Sequence, residues 1–463
     1  MNCRSQWSYE RYRQPVNGGD DIYISRIAPD RTQIALDFFG KQSEEYDVFF
    51  RKMGSGDSWS IIKTDSCRVV LSGLDEGEEY EFYVSSPAAI SKTGIARTGF
   101  VPGTVVNYLN PRDSKYAFSG QYLCTPSLMK HPDGYLLASM DVFEKNAPQN
   151  LTMIFRSDDN GESWYHYSEL FPCFWGKLFL HRNEVYMLAT STEYGDLLIG
   201  KSSDGGKTWA EPSVLLRGSG CPRVPGWHKS AMPIIEYRGR LWTAIDYGAW
   251  NAGGHASALL SVCADSDLLR SENWSITEPL PYDSAWKGSV EGDNRGFLEG
   301  NAVVLPDGGI GNILRYTTDK GTPNHGLIPV LRGDTKDPDK VLTFEKYVPF
   351  QGNLSKFDIL LDDVSGYYYS IICRIYDEKI PYARNLLSLV RTVDLEHWEL
   401  VCDILDYTMD DPKTVGFQYV SFLFDGDDIL FLSRTAFNGA KSYHDNNYIT
   451  FHRIPNFRKI VHS

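Results

Sequence analysis

From about residue 20 onward the chain alternates apolar and polar positions in short runs broken by turns, the period of half-buried strands. Glu45-Tyr46-Asp47-Val48-Phe49-Phe50-Arg51 is one such run and Val69-Val70-Leu71-Ser72-Gly73-Leu74 a second. A third, Tyr80-Glu81-Phe82-Tyr83-Val84, follows the turn Asp75-Glu76-Gly77. Strands at this spacing predict a small sandwich up to about residue 100. Val101-Pro102-Gly103 then reads as a linker, dividing the chain into residues 1–100 and 101–463.

Beyond the linker the pattern repeats six times as apolar strand, tight turn and apolar strand. The turns fall at His131-Pro132-Asp133-Gly134, Arg182-Asn183-Glu184, Tyr237-Arg238-Gly239, Pro306-Asp307-Gly308, Asp362-Asp363-Val364-Ser365-Gly366 and Asp425-Gly426-Asp427. A second repeat runs through the same region. Ser157-Asp158-Asp159-Asn160-Gly161-Glu162-Ser163-Trp164 recurs as Ser202-Ser203-Asp204-Gly205-Gly206-Lys207-Thr208-Trp209, with the tryptophans 45 residues apart. That is the length of a four-stranded propeller blade. In the octet Asp and Gly make a tight turn, the Ser or Thr oxygens tie its backbone, and Trp packs between blades. Weaker copies end at Trp274 and at Trp398. The expectation is an all-β chain, a six-bladed β-propeller preceded by a small β-sandwich, with Val105-Val106-Asn107-Tyr108 closing the ring against the last blade.

Composition narrows the partners. Aromatic residues make up 13% of the chain, with 28 Tyr and 11 Trp, which suits strands and surfaces that stack on sugar rings. A net charge of −14 argues against nucleic acid or an anionic membrane, though a few arginines focused in one pocket still admit an anionic small substrate. The first ten residues hold no apolar core of signal-peptide length, and no apolar run approaches the ~20 residues of a membrane span. The expectation is a cytoplasmic protein, or a secreted one whose leader has been removed. The eight cysteines are scattered with no CxxC pair, so reduced, mostly buried thiols are expected, with no metal site and no cofactor.

Propeller geometry sorts the chemistry-bearing residues without any motif. The start of each inner strand, the end of the second strand and the loop after it share one face. Blade one places Cys124, Thr125, Asp141 and Glu144 there, and blade three His228, Lys229, Asp246, Trp250 and His255. Blade four places Glu299, Arg315, Asn324 and His325, blade five Lys356 and Arg384, and blade six Tyr419, Arg434, His444 and Asp445. Strands near the axis should be mostly apolar, so this convergence predicts a site.

The octets are the Asp-box of sialidase-like propellers, and the chain from about residue 105 to 460 resembles the sialidase superfamily. Phe297-Leu298-Glu299-Gly300-Asn301-Ala302-Val303-Val304, followed by Arg315, resembles the segment with the family's catalytic Glu and one arginine of its carboxylate-binding triad. Arg384 resembles a second triad arginine, and Tyr419-Val420-Ser421 the segment of the nucleophilic Tyr. The resemblance implies that the Glu takes the tyrosine proton while the Tyr attacks the anomeric carbon. It also shows departures. The family's Phe-Arg-Ile-Pro motif falls at Leu123-Cys124-Thr125-Pro126, so Cys124 replaces the first triad arginine. The glutamate that would buttress that arginine falls near Ser433 or Arg434, and the acid/base Asp near Asn146. In the N-terminal part, Leu71 to Val84 resembles the fibronectin type III pattern of a leucine and turn leading into a tyrosine-bearing strand.

Three functions remain open on these residues. The first is an exo-acting glycoside hydrolase on a non-sialic sugar, with an acidic sugar included, in which Glu299 and Tyr419 act with Asp141 or Asp246 as acid and base. Arg315, Arg384, Lys229, His255, His325, Lys356, Arg434, His444 and Asp445 would then bind an oligosaccharide or polysaccharide. The second is a uronate or polysaccharide lyase using His228 or Tyr419 as base. The third is a lectin-like propeller that binds sugars without turnover. Sialosides are expected to be poor substrates because Cys124 removes a bidentate contact.

Overall fold

The computed structural model describes residues 22–40, 45–113, 119–290, 296–317 and 326–460, and within them the chain is built from strands. The first seven strands form two sheets. Tyr23–Pro29, Gln33–Phe39 and Arg68–Ser72 make one; Ser60–Thr64, Tyr46–Lys52, Glu79–Ser85 and Gly94–Arg97, in that spatial order, make the other. Alternation decides which side chains meet between them. Val48, Phe82 and Val84 point inward onto Ile34, Leu36 and Leu71, all fully buried. The Tyr80 hydroxyl accepts a hydrogen bond from the Asp75 N–H at 2.8 Å and pins the turn before its own strand.

Six antiparallel sheets follow and form the blades of a propeller. Blade one runs Tyr122–Lys130, Leu136–Phe143, Leu151–Ser157 and Tyr165–Leu170; blade two runs Phe174–His181, Glu184–Thr190, Leu197–Ser202 and Ser213–Leu216. Blade three is built on Gly226–His228, Arg240–Ala249, Gly254–Cys263 and Trp274–Ile276, and blade four on Gly296–Val304, Ile310–Thr317, Leu327–Gly333 and Thr343–Pro349. Blade five runs Leu360–Leu361, Tyr368–Cys373, Leu386–Thr392 and Glu399–Asp406. Blade six takes three strands from the end of the chain, Gly416–Asp425, Asp428–Ala436 and Tyr448–Ile454, and its outer strand, Thr104–Tyr108, from just after the sandwich. Each of the six turns read from sequence joins an inner strand to its neighbour.

The Asp-boxes tie the third strand of a blade to the fourth. In blade one Ser157 Oγ accepts from the Gly161 N–H at 2.8 Å, and Asp159 accepts from the Ser163 N–H at 2.9 Å. In blade two Ser202 and Asp204 make the same bonds to Gly206 and Thr208 at 2.8 Å each. The divergent copy at Thr392–Trp398 keeps the logic with other residues. Asp394 accepts from the His397 N–H at 2.8 Å and from His397 Nδ1 at 2.7 Å.

Polar side chains on the inner strands stitch neighbouring blades. Ser421 Oγ of blade six accepts from the Leu128 N–H of blade one at 3.2 Å, and Ser127 Oγ accepts from the Leu178 N–H of blade two at 3.0 Å. Asn301 of blade four bridges to Ile359 N at 2.9 Å and Phe357 O at 3.0 Å. The closing strand also carries the sandwich. Arg26 Nε donates to Val106 O at 2.7 Å and Ile27 N donates to Asn107 Oδ1 at 3.2 Å. Tyr108 and Tyr448 are counted in the sandwich's own apolar core, so sandwich and ring share buried surface.

Gly103 enters the closing strand at φ +82°, and a Cβ there would lie 2.6 Å from the Phe451 carbonyl oxygen and 2.5 Å from His452 Cε1. Gly103→Ala should therefore destabilise the protein by about 2 kcal/mol or more, read from urea unfolding, because both the conformation and the space exclude a methyl group. His452 is itself a pH probe. Burial pushes its pKa down to about 3, so it stays neutral in the fold while an unfolded histidine protonates near 6.5. Its contribution is complete above pH ~6.5 and lost as the pH falls toward the folded value. His452→Gln should lessen the stability lost between pH 7 and pH 5 by about 2 kcal/mol.

Candidate active site

The inner strands open on a cavity of about 1420 Å³ on the face that propeller geometry selects. Four inner strands carry a β-bulge near its floor, and each bulge holds a non-glycine residue in left-handed backbone: Thr125 (φ 48°), Trp175 (54°), Glu299 (57°) and Tyr419 (54°). Such residues cost of order 1–3 kcal/mol each and persist where the surrounding ladder over-determines them. The bulge lets the side chain leave the alternation of its strand, while of the residues two positions on, Ser127, Asn301 and Ser421 bond to the next blade and Lys177 reaches Ser421 of blade six.

Glu299, Arg315 and Tyr419 come together. Arg315 Nη1 donates to Glu299 Oε2 at 2.9 Å and to the Tyr419 hydroxyl oxygen at 3.1 Å, so one nitrogen holds oxygens from blades four and six. Ser230 Oγ donates to Glu299 Oε1 at 2.6 Å, and the Glu299 N–H donates to Asp246 Oδ2 at 2.9 Å. Burial pushes the Glu299 carboxyl up, but Arg315, then His228 and the hydrogen bonds from Ser230 and Arg315, outweigh it and bring the pKa down to about 2. Glu299 is thus a buried carboxylate. Tyr419 moves the other way. Burial and the Glu299 charge raise its pKa, against Arg315, Arg384 and Arg434, so its phenol is neutral near pH 7.

Two further guanidinium groups flank the same ring. Arg384 Cζ lies 5.9 Å and Arg434 Cζ 5.3 Å from the Tyr419 centroid. Arg384 donates to Gln418 Oε1 and to Leu354 O, and Arg434 to Asn446 Oδ1 and His444 O. Both are buried, and among the described residues neither has a carboxylate partner. Arg434 also acts electrostatically on the Cys124 thiol, so a cation stands beside the position where sequence comparison finds an arginine missing.

The other residues singled out by sequence separate into two layers. His228, His444 and Asp445 line the cavity with Glu299, Tyr419 and Arg434. Asp141 and Asp246 are fully buried beneath it, and burial pushes both up to about 7. Asp141 accepts from Thr152 Oγ1 and from the Trp175 N–H at 2.8 Å, which fixes the blade-two bulge. Asp246 lies 3.3 Å from His228 Nδ1. Burial favours the neutral form of each partner and brings His228 down to about 4. Lys229 is spent on the carbonyls of Ser230 (2.8 Å), Trp175 (3.1 Å) and Leu188 (3.4 Å), and burial lowers it to about 7. Lys356 pairs with Asp358 at 2.6 Å and donates to Val420 O at 2.7 Å. His255 packs on His228 and Trp250, with ring centroids 4.9 and 5.0 Å away. These buried groups shape the floor. Asn324 and His325 lie outside the described residues.

Sequence reasoning found no site residue in blade two, where the structure places Trp175, Glu193 and the ring of Tyr194. Trp175 packs against His228 with centroids 4.3 Å apart and lines the cavity. Its place in the repeat was the available signal, since it starts an inner strand as Glu299 and Tyr419 do. Among the described residues no group of three or more His, Cys, Asp or Glu is placed to hold a metal ion.

No protein-family model matches this chain, and no curated protein does. Solved structures do. A Penicillium chrysogenum alpha-L-arabinanase complexed with arabinobiose is 14% identical with a TM-score of 0.51, over 78% of this chain and 99% of that one. The Hadza microbial sialidase Hz136 is 13% identical with a TM-score of 0.50, over 95% of each chain. An alpha-L-arabinofuranosidase from Fusarium graminearum, in complex with an iminosugar inhibitor, is 14% identical with a TM-score of 0.51, over 78% and 99%. The fold is therefore that of the sialidase-like β-propellers.

Removing Arg315 would leave a buried carboxylate unpaired. Arg315→Met should cost about 3–5 kcal/mol in chemical unfolding, and Glu299→Gln in the same chain should recover much of that loss.

Proposed function

We propose that this chain is an exo-acting glycoside hydrolase whose target sugar is negatively charged and is not a sialic acid. The observation that carries the reading is the Arg315 contact to both Glu299 and the Tyr419 hydroxyl. A tyrosine needs a base to become a nucleophile near neutral pH. When the Tyr419 proton passes to Glu299, the negative charge moves from the carboxylate to the phenolate, and Arg315 remains bonded to both oxygens. The ion pair is kept, so the low pKa of Glu299 is not by itself a barrier to its serving as base. Tyr419 then bonds to the anomeric carbon as the bond to the leaving oxygen breaks.

The unpaired guanidinium groups favour an anionic substrate. Burying a cation without a counter-charge is costly, and a carboxylate or sulfate on the sugar would complete Arg434, which lines the cavity, with Arg384 behind it against the Tyr419 ring. Arg384 stands where the sialidase resemblance implies a triad arginine and Arg434 does not, and with Cys124 in place of another triad arginine this supports a sugar other than sialic acid. A cavity with a closed, buried floor suits a chain end. His228, brought down to about 4, is a weak base, which counts against elimination. The arabinanase and arabinofuranosidase named above share the fold and support a carbohydrate substrate. Residues 1–100 are read as a fibronectin type III-like module and 101–463 as the propeller domain, supported by the two-sheet order and the Tyr80 hydrogen bond.

The test is a panel of 4-nitrophenyl glycosides of glucuronic, galacturonic and iduronic acids, L-arabinofuranose and N-acetylneuraminic acid, with products weighed by mass spectrometry. Release of a free uronic acid with gain of water is expected, with Glu299→Gln and Tyr419→Phe folded but reduced ~10³-fold or more. Arg434→Met should raise KM for the acid and leave its methyl ester unaffected. Efficient release of N-acetylneuraminic acid, or activity confined to the neutral sugar, would overturn the substrate assignment. An unsaturated product would identify a lyase, and saturable binding without turnover a lectin.

A further inference from the structure

A glycosidase needs a proton donor for the leaving oxygen, and neither Asp141 nor Asp246 reaches the cavity. The described carboxyl groups that line it are Glu144, Glu193, Glu299 and Asp445. Glu299 is held as a carboxylate by Arg315. Asp445 lies between His444 Nδ1 at 2.9 Å and Lys441 Nζ at 3.5 Å, which likewise favour its charged form. Glu144 belongs to a turn that exposes the adjacent Lys145.

Glu193 differs. It follows the second strand of blade two, and among the described residues no cation lies within ion-pair distance of it. Gln149 Nε2 donates to its Oε2 at 2.8 Å, and both residues line the cavity. Burial raises its pKa, with the Gln149 bond as the opposing influence. The segment that carries it is fixed at both ends. The Ser191 N–H donates to Asp196 O at 2.8 Å, the Gly195 N–H donates to Thr192 O at 2.9 Å, and Thr192 Oγ1 donates to Pro148 O of blade one. Gln149 holds a left-handed backbone (φ 50°) with its N–H on Ser119 O, so local strain is maintained where its amide meets Glu193. Glu193 lines the same cavity as Cys124, Glu299, Tyr419 and Arg434.

We infer that Glu193 is the proton donor of this site, an assignment that rests on the hydrolase reading. As Tyr419 bonds to the anomeric carbon and its proton passes to Glu299, the bond to the glycosidic oxygen breaks and that oxygen takes the Glu193 proton. In the second half a water oxygen bonds to the anomeric carbon, one water proton returns to Glu193, the bond to Tyr419 breaks, and Tyr419 recovers its proton from Glu299. The protein ends as it began, and one water is consumed.

The experiment compares Glu193→Gln with wild type on two glycosides of the sugar released in the panel, the 4-nitrophenyl glycoside and the methyl glycoside. Nitrophenolate leaves without protonation, and methoxide does not. Glu193→Gln should keep kcat/KM, which reports the first half, within about tenfold on the former and lose ~10²–10⁴-fold of it on the latter, while kcat on the nitrophenyl glycoside falls because water has lost its base. The alkaline fall in rate, which marks loss of the acid's proton, should disappear from the nitrophenyl profile, and added azide should yield a glycosyl azide. Equal losses of kcat/KM on both glycosides at unchanged melting temperature, or no loss on either, would overturn the role of Glu193 and leave the hydrolase reading standing. A wild type that hydrolyses neither glycoside would overturn both.

Discussion

The outer strand of the last blade comes from the other end of the propeller sequence, and the rest of the molecule depends on that pairing. Tyr448↔Tyr108, Ile449↔Asn107 and Thr450↔Val105 hold the ring shut. Six sheets that each bury a face against the next have two exposed faces unless the first and last meet. Closure brings Ser421 to Leu128 and thereby sets blade six against blade one. It also fixes the distance across the axis over which Tyr419 must meet residues of blade four. The sandwich shares in this constraint, because Arg26 and Ile27 bind the closing strand.

The centre of the ring is unusually polar for a fold held by apolar blades. Lys177, Lys229 and Lys356 are buried there, as are Asp141, Asp246 and Asp358. Isolated charges at such depth would be prohibitive, and the structure answers with hydrogen bonds to backbone carbonyls and with neutral forms. Lys229 is brought down to about 7 and Lys177 to about 8 by burial, while Asp141 and Asp246 rise to about 7. This layer sets the positions of the residues above it. Asp141 holds the Trp175 backbone, and Asp246 the Glu299 backbone. Ion pairs remain between Lys356 and Asp358 and between Arg315 and Glu299, and Arg384 and Arg434 stand around Tyr419.

The strained bulges connect these two levels. An inner strand in regular alternation would send the side chain before each stitching residue into the blade packing. A left-handed residue at the bulge turns it toward the cavity, and the stitching residue two places later keeps its bond to the next blade. Local strain is therefore offset by inter-blade hydrogen bonding, and site geometry and ring stability share the same few residues.

Much of this was legible in the chain itself. Period-two alternation, the spacing of Trp164 and Trp209 and the recurring turns specify strands and blades, because these are local rules of backbone geometry and side-chain packing. The divergent box at Thr392–Trp398 and the closing strand were readable for the same reason. The face shared by Glu299, Arg315 and Tyr419 followed from strand direction alone. What could not be read was depth. Asp141 and Asp246 sit at strand positions like those of site residues, yet both are fully buried and do not line the cavity, and no local pattern announces it. Trp175 and Glu193 had no motif to mark them, and their meeting with His228 and Gln149 depends on how blades one, two and three close around the axis. Arg434 was read as a binding residue on the site face and, against the sialidase pattern, as a position near which an acid is missing. Only the packed ring shows it as a cation beside Cys124, because charge compensation is settled between blades that are hundreds of residues apart in sequence.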